Sequence, residues 1–153
     1  MQLLLVAFKY KKKQNISKAV AEALNFPRDI LYDHHDIGPL IAIIKRTNPE
    51  FVLGMGQSKR GKLIRIERKA KDILVSKGKV ISKGKQKLSS TWKLPMVKGT
   101  RICYHGGSHL CNYTFFRLLQ EFEKRPRIAF LHIPKTLSKE KATAIVMRIL
   151  AEA

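Results

Sequence analysis

The chain has 153 residues, 44% of them hydrophobic, and a formal net charge of +20. That length and apolar content fit one domain over 1–153 with a real core, and no apolar run approaches the roughly 20 residues that span a bilayer, so no membrane partner is expected. Two cysteines are too few for a disulfide framework: free thiols are the default, and one Cys103–Cys111 bridge is the alternative.

Leu3–Phe8 is a short, continuous apolar run. Its lysines follow it instead of preceding it, so it reads as a buried first strand and not as a secretory signal, which makes a cytoplasmic protein the expectation. A basic turn over 9–13 comes next. Ser17 is positioned to cap a helix that carries Ala19, Val20, Ala23 and Leu24 at helical spacing, and Asn25-Phe26-Pro27 ends it. His34-His35-Asp36 reads as a surface turn. A second helix is predicted over 37–46, with Gly38-Pro39 at its start and Asn48-Pro49 beyond its end. A buried strand over 51–55 leads into a polar loop over 56–61. A short strand over 63–66 ends at Glu67. The lysine-rich stretch over 77–98 has weak periodicity and reads as an extended excursion resembling a hairpin. A strand over 101–104, an amphipathic helix over 109–122 and a strand over 128–133 follow. Ser138 caps a last helix with Ala142, Ile145, Val146, Ile149 and Leu150 on one face. Strands alternating with helices predict an α/β fold with a mostly parallel sheet covered on both sides. Sites in such sheets gather outside the carboxyl ends of the strands.

Charge is concentrated in one block: 59–101 holds fifteen Lys or Arg residues against Glu67 and Asp72. Such a block favours nucleic acid, acidic membrane surfaces or anionic substrates, or it is simply a solvated basic face. Trp92 is its sole aromatic residue, so it lacks the aromatic platforms of a base-stacking surface.

Three residue types stand out for chemistry. Cys111 falls in the first turn of a predicted helix, where amide dipoles and a nearby imidazole lower a thiol's pKa. His132 ends a strand, from which it can take a thiol proton and later protonate a leaving amine. Glu67 is a lone carboxylate among cations; it can orient the imidazole, or it can pair with Arg65, Arg68 or Lys69. Each also has a plain reading as a buried or partly buried structural side chain. Gly56-Gln57-Ser58-Lys59-Arg60-Gly61-Lys62 satisfies the first part of a phosphate-loop pattern, but Leu63 lacks the hydroxyl that magnesium needs and no helix is predicted after it. Cys103, His105, His109 and Cys111 have the residue types of a zinc site, crowded into nine residues instead of two separated pairs. No metal and no cofactor are expected.

At these residues the chain resembles the pyroglutamyl peptidase I (pyrrolidone-carboxylate peptidase) family of cysteine peptidases. Gly56-Gln57 with Ile64, Glu67, Arg68 and Ala70 is similar to the family's glutamate motif, with Asp72 where an asparagine is usual. Gly107 to Asn112 is similar to its nucleophile motif, and Phe130-Leu131-His132-Ile133-Pro134 to its histidine motif. The order Glu, Cys, His is the family's. The resemblance implies a three-layer α/β/α fold and removal of an N-terminal pyroglutamyl or related acyl residue from a peptide. It implies Cys111 as nucleophile, His132 as general base and acid, and Glu67 as orienting acid, with backbone amides near Cys111 at the oxyanion. Lys77 aligns with an arginine that the family uses at the oxyanion, a lysine supplying charge without the planar fork of donors. Gln57, Phe8 and His109 align with substrate-side positions, while Lys11 stands where the family has a second phenylalanine. A more cationic pocket suits an anionic acyl group better than a neutral lactam. Association into homo-oligomers is a further expectation. The reading from another class is a basic module that kept the fold for nucleic acid or another polyanion.

Overall fold

In the computed structural model, which describes residues 2–8, 14–26, 29–32 and 37–153, every residue of the first strand β1 (Leu3–Phe8) is buried. Such a strand must lie inside a sheet covered on both faces, and it does. A six-stranded sheet runs in the order β2 (Asp29–Tyr32), β1, β3 (Phe51–Ser58), β8 (Arg127–Pro134), β4 (Ile64–Glu67), β7 (Thr100–Cys103). Leu3, Leu5 and Ala7 of β1 enter one apolar cluster with Val20 and Ala21 of α1 (Ile16–Leu24) and Ile145, Val146 and Ile149 of α4 (Lys139–Ala151). Leu4, Val6 and Phe8 enter the other, with Leu40 and Ile44 of α2 (Gly38–Thr47) and Phe115, Phe116 and Leu119 of α3 (Leu110–Glu121). The strand period of two thus divides the core into the two outer layers of an α/β/α sandwich.

Most neighbours in the sheet are parallel, as expected, with one exception that builds the site. β4 runs antiparallel to β8, pairing Arg65 with His132 and Glu67 with Phe130, while β7 runs parallel to β4. A separate antiparallel ribbon, β5 (Lys69–Ser76) and β6 (Lys79–Ser89), leaves the sheet directly after Glu67. Its Ala70 is buried in the cluster beneath α3, with Leu88 packed against it.

Several expectations need correction. The ribbon occupies 69–89, earlier than the predicted excursion, and Trp92, Leu94 and Val97 beyond it are core residues. Asn15, not Ser17, caps α1: its Oδ1 accepts from the Ser17 amide at 2.9 Å, and Ser17 itself is buried, donating from Oγ to the same oxygen at 2.6 Å. Strand β3 continues through Gly56, Gln57 and Ser58, which pair with His132, Ile133 and Pro134, so the predicted polar loop begins later. No helix follows it, and the phosphate-loop pattern has no structural counterpart. Strand β2 has no counterpart among the predicted elements. The basic turn over 9–13 and the His34-His35-Asp36 turn lie outside the described residues. At the far end, Ser138 Oγ accepts from the Lys141 amide at 3.2 Å, the predicted cap.

Candidate active site

Glu67 and Arg65 sit two residues apart on β4, so both point to the same face of the sheet, the one under α3, while Ile64 and Ile66 fill the opposite core. The antiparallel register then sets His132 beside them. His132 Nδ1 lies 2.8 Å from Glu67 Oε1, and both side chains are buried, at 8% and 1% exposure. A carboxylate only accepts, so this hydrogen bond places the neutral ring's proton on Nδ1 and leaves Nε2 with a free lone pair. The pairing alternatives at Glu67 both hold: Arg65 Nε is 3.3 Å from the same Oε1, forming a three-membered cluster. Arg68 turns away, donating from Nη2 to the Leu94 carbonyl at 2.7 Å. Among the described residues, none donates a hydrogen bond to Glu67 Oε2.

Cys111 arrives from the other layer. It is the second residue of α3, whose N-cap position is His109 with no side-chain cap. Gly56, the partner of His132 across β3 and β8, lies beside both side chains. A Cβ at Gly56 would lie 2.6 Å from Cys111 Sγ and 3.3 Å from His132 Cδ2, the carbon bonded to Nε2. The thiol and the imidazole therefore flank one glycine.

The electrostatics depart from the expectation of a lowered thiol pKa. Burial pushes the Cys111 thiol up from 9.0 to about 12; its own backbone amide and Arg65 pull it down, and the Glu67 charge pushes it further up. The residue as a whole keeps some solvent exposure, but the packing around its sulfur makes desolvation the dominant effect. At neutral pH the sulfur is a thiol. Both cysteines are free.

One polar side chain fixes the helix end that carries the thiol. Asn112, 1% exposed, accepts at Oδ1 from the Lys71 amide at 2.9 Å and donates from Nδ2 to the Lys71 and Ile73 carbonyls at 2.9 and 3.2 Å. The Val75 amide donates to the Ser108 carbonyl at 2.7 Å, so the free edge of β5 is closed against the loop before α3. Sequence reasoning places Asn112 in the motif without a role; its amide side chain, one residue after the cysteine, is the available signal.

The remaining predicted residues fall around this centre. His109 is exposed, with Nδ1 3.3 Å from the Val75 carbonyl. Phe8 is fully buried and packs against Phe130 at 6.1 Å between ring centroids. Gln57 Oε1 accepts from the Ile16 amide at 3.0 Å, tying β3 to the start of α1. Lys77 occupies the exposed turn of the ribbon at a φ of 49°. The cation that acts on the thiol is Arg65, which the motif resemblance does not single out. Among the described residues no three His, Cys, Asp or Glu side chains are grouped to hold a metal, and no helix is long and apolar enough to cross a membrane.

No protein-family model and no curated protein matches the chain. Solved structures do. Pyroglutamyl peptidase I of Bacillus amyloliquefaciens superposes with a TM-score of 0.79 at 20% identity, covering 99% of this chain and 95% of that one. The pyrrolidone carboxyl peptidase of Thermococcus litoralis gives 0.75 at 18% identity over 97% and 93%. The E192A mutant of the Pyrococcus furiosus enzyme gives 0.76 at 19% over 100% and 98%. Over nearly its whole length, the chain has the fold of the pyroglutamyl peptidases.

Proposed function

We propose that this chain is a cysteine peptidase or amidase that removes an N-terminal pyroglutamyl or related acyl residue from peptides. The observation that carries the proposal is the buried 2.8 Å His132–Glu67 hydrogen bond, with Cys111 Sγ and His132 Cδ2 both flanking Gly56. Glu67 holds the imidazole in the tautomer whose Nε2 accepts a proton. Because the resting sulfur is protonated, His132 acts as a general base during attack instead of forming a standing ion pair with a thiolate. Sγ bonds to the acyl carbon while its proton passes to Nε2. The carbonyl oxygen becomes the oxyanion, met by amides of the uncapped first turn of α3. His132 then returns the proton to the leaving amine, the C–N bond breaks, and water cleaves the thioester with the same imidazole as base. His109 is the proposed acyl-side contact. Free thiols fit work in a reducing, cytoplasmic setting.

A basic module that kept only the fold has no need of a buried, fully aligned acid–imidazole pair, so the hydrolase reading is the stronger one. It is tested by hydrolysis of a fluorogenic pyroglutamyl amide by the protein and by Cys111→Ala. Release of the fluorophore that disappears in the variant supports it. Equal rates in both proteins would refute it.

A further inference from the structure

The β5–β6 ribbon carries seven lysines, Lys69, Lys71, Lys77, Lys79, Lys83, Lys85 and Lys87, against the single acid Asp72. Six of the seven are exposed, and among the described residues none is in an ion pair. Lys71 stands directly across from Lys87. Like charges in that position destabilise a two-stranded ribbon, which has no second sheet to brace it. Asp72 relieves little, since Ser82 Oγ lies 3.3 Å from its Oδ1 and its other oxygen is aimed at Gly84. Alternation sets Lys71 and Lys87 on the face opposite Ala70 and Leu88, the pair that packs under α3, and beyond a register shift Lys83 pairs with Ile73, with Lys83 and Lys85 both exposed. Close to the turn, Val80 and Ile81 are 58% and 62% exposed, an apolar pair among cations.

We infer that this ribbon is a docking arm for duplex DNA, bound through its phosphates without base-edge readout. Asn112 and Ser108 hold the β5 side of the ribbon against α3, so its outer face is free to lie along the regularly spaced phosphates of a stiff duplex without entering a groove. The ribbon has no aromatic residue on which the bases of a single strand would stack. An anionic membrane meets the arm badly. Insertion of Val80 and Ile81 would leave Lys87, six residues along β6, about 20 Å from the surface, well beyond a Debye length of about 8 Å. A rod-shaped polyanion lying along the ribbon meets the lysines of its free face together. The arm adds an interaction to the chain and is independent of whether the proposed peptidase chemistry operates.

The test is fluorescence anisotropy of a labelled 24-base-pair DNA duplex across a salt series. The arm variant is Lys83→Gln/Lys85→Gln/Lys87→Gln. The charge-matched control, Lys135→Gln/Lys139→Gln/Lys141→Gln, changes exposed lysines at and before α4, on the far side of the sheet. Without these three lysine–phosphate pairings, the arm variant should bind roughly 100-fold more weakly at 0.15 M salt, with a log–log salt slope shallower by about 3. The control should change affinity by less than about threefold. Equal reductions in the two triple variants would reduce the effect to net charge and overturn the proposal. So would tighter binding to single-stranded DNA of the same length, or tighter binding to vesicles containing phosphatidylserine that is abolished in the arm variant.

Discussion

The most discriminating consequence of the site's electrostatics is a slow resting thiol. Burial holds Cys111 at about 12 against an ordinary value of 9.0, so its thiolate fraction at neutral pH is about 10³-fold lower than that of an unperturbed cysteine. A more basic thiolate is intrinsically more nucleophilic, with a Brønsted coefficient of about 0.4–0.5, which returns at most about 30-fold of that loss. Alkylation of Cys111 by iodoacetamide at pH 7.5 should therefore be about 30- to 1,000-fold slower than that of a model thiol. Mass spectrometry of a Cys103→Ser variant isolates the rate at Cys111. The rate should climb about tenfold per pH unit through pH 10, with no plateau near neutrality. The same linkage gives stability a sign: a thiol whose folded pKa exceeds its unfolded value stabilises the fold at pH below 9 and loses that contribution as pH rises toward 12. An alkylation rate that levels off below pH 8 would refute this reasoning and indicate a standing thiolate–imidazolium pair.

Arg65→Ala removes the cation that lowers the Cys111 pKa and leaves Glu67 with His132 alone, so alkylation at pH 7.5 should slow further; an accelerated rate would contradict the assigned sign. Glu67→Gln retains size but presents an amide to Nδ1, and kcat should drop by about 10²–10⁴ with the melting temperature far less affected. Gly56→Ala would force a methyl to within 2.6 Å of Sγ, and loss of hydrolysis with the fold retained by circular dichroism is the expected result. Asn112→Ala strands the Lys71 amide and the Lys71 and Ile73 carbonyls, which should cost about 1–3 kcal/mol in chemical denaturation and speed amide exchange along β5.

Legibility in the sequence follows the strength of local signals. Strand β1 is an unbroken apolar run, β8 is apolar over Ile128–Leu131 and again at Ile133, and α3 and α4 carry clear helical periodicity, so their predicted and observed bounds agree within a residue or two. The continuation of β3 through Gly56, Gln57 and Ser58 is not readable, because those residues have weak strand preference and are held there by pairing with β8. Strand β2 is four residues long at a sheet edge, too short to leave a pattern. The reversal of β4 is a tertiary choice with no local mark, yet it is what turns Glu67 and Arg65 onto the face that holds His132. Residue types announce Glu67, Cys111 and His132 as a set; they cannot announce the sign of the thiol's shift, since burial arises from the packing of β3, β8 and α3 around it. Motif spacing alone points to Lys77, which stands at the exposed turn of the ribbon, two residues from Val75, whose amide and carbonyl meet Ser108 and His109 just before Cys111.

Hydrolysis at this site requires that Cys111 form an acyl–enzyme with the help of His132. Acid quenching of the reaction with an activated pyroglutamyl ester, followed by intact-mass and peptide mapping, tests it most directly. A pyroglutamyl adduct on Cys111 is expected, forming far more slowly in His132→Ala and not at all in Cys111→Ala. An ester turned over at the wild-type rate by Cys111→Ala, or an adduct mapped to Cys103, would contradict it.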